Sequence, residues 1–383
     1  MRRYSVCLTV LLLCAASTGA QIGKRVSIRA GTPEDRAVTQ ITSAADPAEK
    51  LALLEKFMAE YGQGEMVLVA YNIYIDHYMQ AQDYAKVYEY GEKALAIDPE
   101  GFSIANRLFR AAQQQGDAAR MFDYGVRTGE ILQRYKARPA PEGVEESTWQ
   151  VTKANILAEN QDGIAYVEYT LFSTAYANTD PPVKAAQLER FANAFPDSPY
   201  AGNAQVIVAG TYQQMGQLDK MHAYGEQAIT AQPTNFAMLV LLADNFSERG
   251  VELAKAEQFA GQALKVLETA EKPGSLTDEQ WAQHKAMQQG LAHSTLGQVH
   301  LHKKRNAQAV ESLNAAAPLL KNDAGSYARN QYRLGYAYVN LKRMGDARKA
   351  FSEAAAGDTP YRGPAQEMLG KLPAGPPAKR RRP

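Results

Sequence analysis

The chain has 383 residues, 45% hydrophobic, 9% aromatic and 22% charged, with 42 Lys and Arg against 41 Asp and Glu. This composition excludes a mainly disordered or collagen-like chain. A formal net charge of +1 removes bulk attraction to nucleic acid as a starting point. Length alone suggests about two to three domains; an internal repeat replaces that expectation.

Arg2 and Arg3, the apolar run Val6 to Leu13 and the small residues Thr18-Gly19-Ala20 read as an export signal over residues 1–20. Cleavage is expected after Ala20, which places the protein in the periplasm or outside the cell. The apolar run is too short to span a bilayer, and no later stretch reaches the roughly 20 apolar residues of a membrane helix. Both cysteines, Cys7 and Cys14, fall inside the signal. The remaining chain therefore has no thiol for a disulfide, a zinc site or a nucleophile. Residues 21–45 read as a linker.

Residues 46–180 and 181–289 form two related blocks. Tyr90-Gly91 recurs as Tyr124-Gly125 after 34 residues and as Tyr224-Gly225 after 134. At the larger offset Leu54, Phe57, Tyr78, Pro99 and Phe102 meet Leu188, Phe191, Tyr212, Pro233 and Phe236. Trp149 and Lys153 meet Trp281 and Lys285 at an offset of 132. This is an internal duplication built from smaller units. A helical glycine costs about 1 kcal/mol relative to alanine, so Gly91, Gly125 and Gly225 are expected to admit a close neighbour while the preceding tyrosine fills the adjacent gap. Residues 138–146 and 272–279 are loops at matching places, each opening a helix that carries Trp149 or Trp281. Each Trp either fills a wide gap or marks a binding face. Glu145-Glu146 and Asp278-Glu279 suit the positive end of a helix.

Residues 290–372 show the unit most plainly. Tyr332, Leu334, Tyr336, Tyr338 and Leu341 precede Met344-Gly345-Asp346, and Ala347, Ala350, Phe351 and Ala354 follow at helical spacing. Gly345-Asp346 reads as the turn and the start of the second helix. Neither helix of such a hairpin buries its apolar face alone, so hairpins must stack on their neighbours. Residues 373–383, Pro-rich and ending in Lys379-Arg380-Arg381-Arg382, read as a disordered basic tail. It is either solubilising or in weak contact with an anionic surface. Without it and Arg2 and Arg3, 36 basic residues face 41 acidic ones.

Leu334-Gly335-x-x-Tyr338, Ala347-x-x-x-Phe351 and Ala354 resemble the tetratricopeptide repeat pattern. Gln331 departs from its aromatic start, and Pro360 falls late. Weaker copies begin at Leu68, Phe102, Gly202, Phe236 and Gly290. The resemblance implies an all-α fold, an α-α superhelix in the form of a right-handed solenoid of helical hairpins. Residues 191–205 are also similar to bacterial envelope repeat proteins of outer-membrane or Tol–Pal assembly.

The search for chemistry is nearly empty. The six histidines lack the carboxylate spacing of a zinc helix, and no nucleophile elbow or phosphate-cradling glycine loop is present. No catalytic residue, cofactor or metal is expected. The resemblance instead implies a groove lined by the first helix of each hairpin, holding a protein or peptide partner. Its positions fall on Asn72 and Asp76, on Asn106, Arg110 and Gln113, on Asn203, Gln213 and Asp244, and on Arg329, Arg333, Tyr336 and Asn340. Arg329 and Arg333, four apart on one helical face, are expected to hold a carboxylate or phosphate. An interaction scaffold in the cell envelope is the reading; the alternative is an assembly cofactor acting through homo-oligomerisation.

Overall fold

The structure is a computed structural model that describes residues 22–272 and 277–373. The export segment 1–20, with Cys7 and Cys14, and the tail from residue 374 lie outside the described residues. Eighteen helices and no strand occur among the described residues. Two compact units divide the chain, Met1–Ala204 and Gln205–Pro383. Helices in extensive contact are one to three elements apart in the chain, as a stack of hairpins requires.

The first unit holds α1 (Pro33–Ser43), α2 (Pro47–Tyr61), α3 (Met66–Gln80), α4 (Tyr84–Ile97) and α5 (Phe102–Gln115). After them come α6 (Ala118–Ala137), α7 (Glu146–Glu159), α8 (Gln161–Ala177) and α9 (Pro181–Ala194). Helix starts follow local chemistry. Asp46 and Asp180 accept from the backbone N–H of Glu49 and Val183, the third residues of α2 and α9, each helix having proline at its first position. Ile41, Leu54, Phe57, Ala70 and Tyr74 form the core of α1–α3. Each fully buried large apolar side chain of this kind contributes about 1.5–3 kcal/mol.

Residues 21–45 are therefore more than a linker. Ala37, Val38 and Ile41 give α1 an apolar face that covers α2, and Ile22 is 1% exposed. The Lys24 N–H donates to buried Asp98 at 2.8 Å. The pattern covers barely one helical face, too short to stand out as periodicity.

Helix α10 (Ala201–Gln214) crosses the division. The second unit continues with α11 (Leu218–Ala231), α12 (Phe236–Arg249), α13 (Leu253–Thr269) and α14 (Asp278–His302). It ends with α15 (Asn306–Leu320), α16 (Ala324–Asn340), α17 (Met344–Ala354) and α18 (Arg362–Lys371). The boundary expected at 289/290 lies inside α14, which is continuous because Ala292 is fully buried against Leu239, Val240 and Ala263. Thr277 and Gln280 close a capping box at its start. The C-terminal core joins Leu313, Leu334, Phe351 and Ala365.

The turn into α17 also departs from expectation. Helix α17 begins at Met344, so Gly345 lies inside it, and the left-handed residue is Lys342, at φ 60°. Gln82, Gly116, Gly216, Gly250 and Lys304 hold the corresponding left-handed position between other helix pairs. Three of these six turn residues are not glycine, which hid them from a search for glycine. The Tyr-Gly pairs behave as expected. A Cβ at Gly125 would meet Leu171 at 2.8 Å and one at Gly225 would meet Leu242 at 2.7 Å; at Gly91 it would meet Leu108. The preceding rings stack, Tyr90 on Tyr74 at 4.2 Å, Tyr124 on Tyr88 and Tyr224 on Tyr212 at 5.8 Å each.

Candidate partner-binding grooves

In the first unit, α3, α5 and α8 carry the relevant side chains. Arg107 of α5 donates to the Asp76 carboxylate at 2.8 Å, to the Asn72 carbonyl at 3.3 Å and to the Asn72 side chain. Asn72 and Asp76 are thereby fixed by an arginine that the sequence reading passed over in favour of its neighbours Asn106 and Arg110. Asn106 is half-buried. Arg110 is exposed, its guanidinium 5.7 Å from the centre of the Tyr166 ring, and Gln113 accepts from the Tyr166 hydroxyl at 2.8 Å. Asn72 and Asp76 thus meet Arg107 of α5, while Arg110 and Gln113 meet Tyr166 of α8. Asn203 and Gln213 are exposed on α10.

Tyr166 begins a stripe. With Tyr169 and Tyr176 it falls at positions i, i+3 and i+10 of α8, one side of a helix. These rings are 42%, 57% and 58% exposed. Phe172, half-buried, stacks on Tyr176 and on Tyr200. The spacing in "AYVEYTLFSTAY" is the sequence signal that would have found them.

In the second unit the arginines are already engaged. Arg329 donates to Asp244 at 2.8 Å and to Glu248 at 3.4 Å. Arg333, 5% exposed, pairs with Glu248 and donates to the Ser294 carbonyl at 3.1 Å and hydroxyl at 2.9 Å. The carboxylates this pair holds belong to the same chain. Two carboxylates of α12 neutralise the pair, a partnership 81 to 89 positions away that no local spacing displays. Thr295 donates to Asp244 at 3.1 Å and completes the network.

Beside this network lies a cleft of about 320 Å³. Glu248 stands at one edge, Gln298, Leu301 and His302 come from α14, and Tyr332, Arg333, Tyr336 and Asn340 come from α16. Tyr361, just ahead of α18, completes it. The Tyr332 and Tyr361 rings are 5.6 Å apart, and the Tyr332 and Tyr336 rings meet edge to face at 5.1 Å. Burial pushes the Tyr332 and Tyr361 hydroxyls above the ordinary tyrosine value, reinforced by Tyr336 for the first and Glu248 for the second. Three of the four expected α16 residues therefore share one cavity, and Arg329 sits in the ion-pair network next to it.

Among the described residues no three His, Cys, Asp or Glu side chains group as metal ligands. No described helix is long and apolar enough to cross a membrane.

Residues 328–356, the α16–α17 hairpin, match the family model for the tetratricopeptide repeat. This hairpin has the tetratricopeptide pattern, and the described residues form an all-α array of helical hairpins. Comparison with curated protein sequences returns no match. Among solved structures, a thermophilic TPR protein of Thermus thermophilus is 16% identical with a TM-score of 0.32, covering 54% of this chain and 97% of its own. PilW, a type IV pilus biogenesis factor, is 16% identical with a TM-score of 0.28, covering 68% of this chain and 94% of its own. The human IFIT1 dimer with m7Gppp-AAAA is 15% identical with a TM-score of 0.34, covering 88% of this chain and 77% of its own. At such scores these likenesses fix no function.

Proposed function

We propose that this chain is a non-enzymatic protein–protein interaction scaffold of the bacterial cell envelope, holding a partner segment against the first helices of its hairpins. The observation that carries the reading is the α8 stripe. Tyr166, Tyr169 and Tyr176 are exposed, the first of them beside Arg110 and Gln113. Aromatic rings with a polar edge are the side chains that dominate binding surfaces, and helical-repeat folds present such surfaces. The groove positions Asn72, Asp76, Asn106, Arg110 and Gln113, together with Arg329, Arg333, Tyr336 and Asn340, belong to this reading. Export through residues 1–20, cleavage after Ala20 and weak contact of the basic tail with an anionic surface belong to it as well.

The test replaces Tyr166 and Tyr169 with Ser and cross-links the variant and the parent protein in the native envelope. Both should melt alike, because the rings are exposed, and the variant should lose the parent's cross-linked product. Identical products would sink the reading. The second reading, an assembly cofactor acting through homo-oligomerisation, draws on the resemblance of residues 191–205. A stable, concentration-dependent oligomer in analytical ultracentrifugation would favour it.

A further inference from the structure

The cleft of the second unit has a chemistry that its arginines conceal. Most of its polar lining is bonded within the chain. Glu248 holds Arg329 and Arg333. The His302 Nε2 lies 2.9 Å from the Ser247 carbonyl and 3.1 Å from the Gln298 amide, so one of these two groups engages it. The hydroxyls of Tyr332 and Tyr336 pair at 3.2 Å, and Asn340 donates to Asn306 at 3.0 Å. Two arginines against two carboxylates leave the network neutral. What the cavity offers an occupant is ring faces from Tyr332, Tyr336 and Tyr361 and the side chain of Leu301. An anionic group entering there would lose water and meet the Glu248 carboxylate instead of a free cation, which is costly. A neutral apolar group loses nothing of the kind.

We propose that this cleft takes one neutral apolar side chain, aromatic or branched aliphatic, from a protein partner, and that Glu248 is the residue that denies the site to acidic partners. This rests on the scaffold reading above and names the chemistry of one of its grooves. Glu248 can play the part because it is exposed at the cleft edge while the Arg333 guanidinium it covers is buried. Take away its charge and an arginine fork, the natural receptor for a carboxylate, faces the cleft with an unmatched positive charge.

The test selects peptides from a displayed random 12-residue library on the full chain and measures their affinity for variants. Enriched peptides should share a Trp, Phe or Leu, and replacing that residue with Ala should weaken binding about ten-fold, as for an interface anchor. Tyr361→Ala, which removes a wall, and Gln298→Trp, which fills the space, should each weaken the same peptides while circular dichroism stays unchanged. In Glu248→Gln, a peptide carrying Glu at the anchor position should gain about ten-fold. Enriched peptides defined by a carboxylate and lost in Arg329→Ala would overturn the proposal, as would no gain for the Glu peptide. Peptides that follow Tyr166→Ser and Tyr169→Ser but ignore Tyr361→Ala would remove the cleft and leave the scaffold reading standing. If no peptide is enriched, both fall.

Discussion

Helices α7 and α14 start alike and end differently. Trp149 and Lys153 in the first, Trp281 and Lys285 in the second, are 132 residues apart. Lys153 donates to the carbonyls of Lys136 and Arg138 at 3.0 and 3.1 Å, which closes the end of α6. Lys285 does the same for α13 through the Glu268 carbonyl at 3.4 Å, and positions 136 and 268 are again 132 apart. The two Trp side chains mainly fill space: Trp149 is buried and donates to the Arg138 carbonyl at 3.0 Å, while Trp281 packs near Phe236. Beyond this shared start α14 continues to 25 residues, whereas α7 stops at Glu159.

The difference lies at one matched pair. Ala292 in α14 is fully buried, and its counterpart Asn160 returns its side chain to the Ile156 carbonyl at 2.7 Å. An asparagine that bonds its own backbone competes with helix propagation, and Gly163 follows three residues later. Only Trp149 and Lys153 of α7 are buried. The outcome is surface. Of the eight large hydrophobic residues exposed among the described residues, Val144, Val151, Tyr166, Tyr169, Tyr176 and Val183 fall in this region. At the same offset Val151, Tyr166 and Tyr176 meet Gln283, Gln298 and Gln308, so the first copy exposes apolar side chains and rings where the second carries polar ones.

Moving the break tests this most severely. Ala292→Asn should cost about 2–4 kcal/mol by burying an amide without partners, whereas Asn160→Ala should shift stability by less than about 0.5 kcal/mol, as for surface changes. Denaturant unfolding followed by fluorescence measures both, with Trp149→Phe or Trp281→Phe leaving one reporter per helix. Equal effects would mean that the two sites are not packed differently.

A smaller effect is expected one turn on, where Gly297 matches Ala165 at the same offset. A Cβ at Gly297 would collide with fully buried Leu313. Gly297→Ala should therefore destabilise by about 1–2 kcal/mol, overpacking outweighing the gain in helix propensity. Ala165 is exposed, so Ala165→Gly should cost only about 0.5–1 kcal/mol through propensity alone. A stabilising Gly297→Ala in the same unfolding assay would contradict the close approach.

The smallest contrast is one of pH. Burial lowers the His293 and His300 imidazoles below their ordinary 6.5, so the unfolded chain binds more protons and α14 should lose stability as pH falls through that value. Burial raises the Glu168 carboxyl of α8 above its ordinary 4.5, against the hydrogen bond from Ser198. The folded state then binds more protons, and α8 should gain as pH falls through the raised value. Native-state hydrogen exchange between pH 7 and 5, corrected for intrinsic rates, should show opposite trends in the two helices. A common trend would remove these groups as the cause.

Much of the fold was legible because its signals are local. Periodicity, caps and the Tyr-Gly pairs operate within a turn or two, and the duplication repeats them. The candidate sites were legible only as positions. Arg110 and Gln113 both meet Tyr166, and Arg333, Tyr336 and Asn340 line one cavity. Their availability was not. Arg107 claims Asn72 and Asp76 from 35 and 31 positions away, and Glu248 claims Arg333 from 85.

By itself, then, the sequence determined that this chain is helical, paired into hairpins and duplicated, because spacing and capping are properties of neighbouring residues. Only the tertiary structure decided that α14 runs unbroken, that residues 33–43 form a helix of the core, and that two arginines fit to grip an anion are held by carboxylates of the same chain. Those outcomes depend on what packs across from a residue, and in a stack of hairpins the side chain opposite comes from a different turn of the repeat.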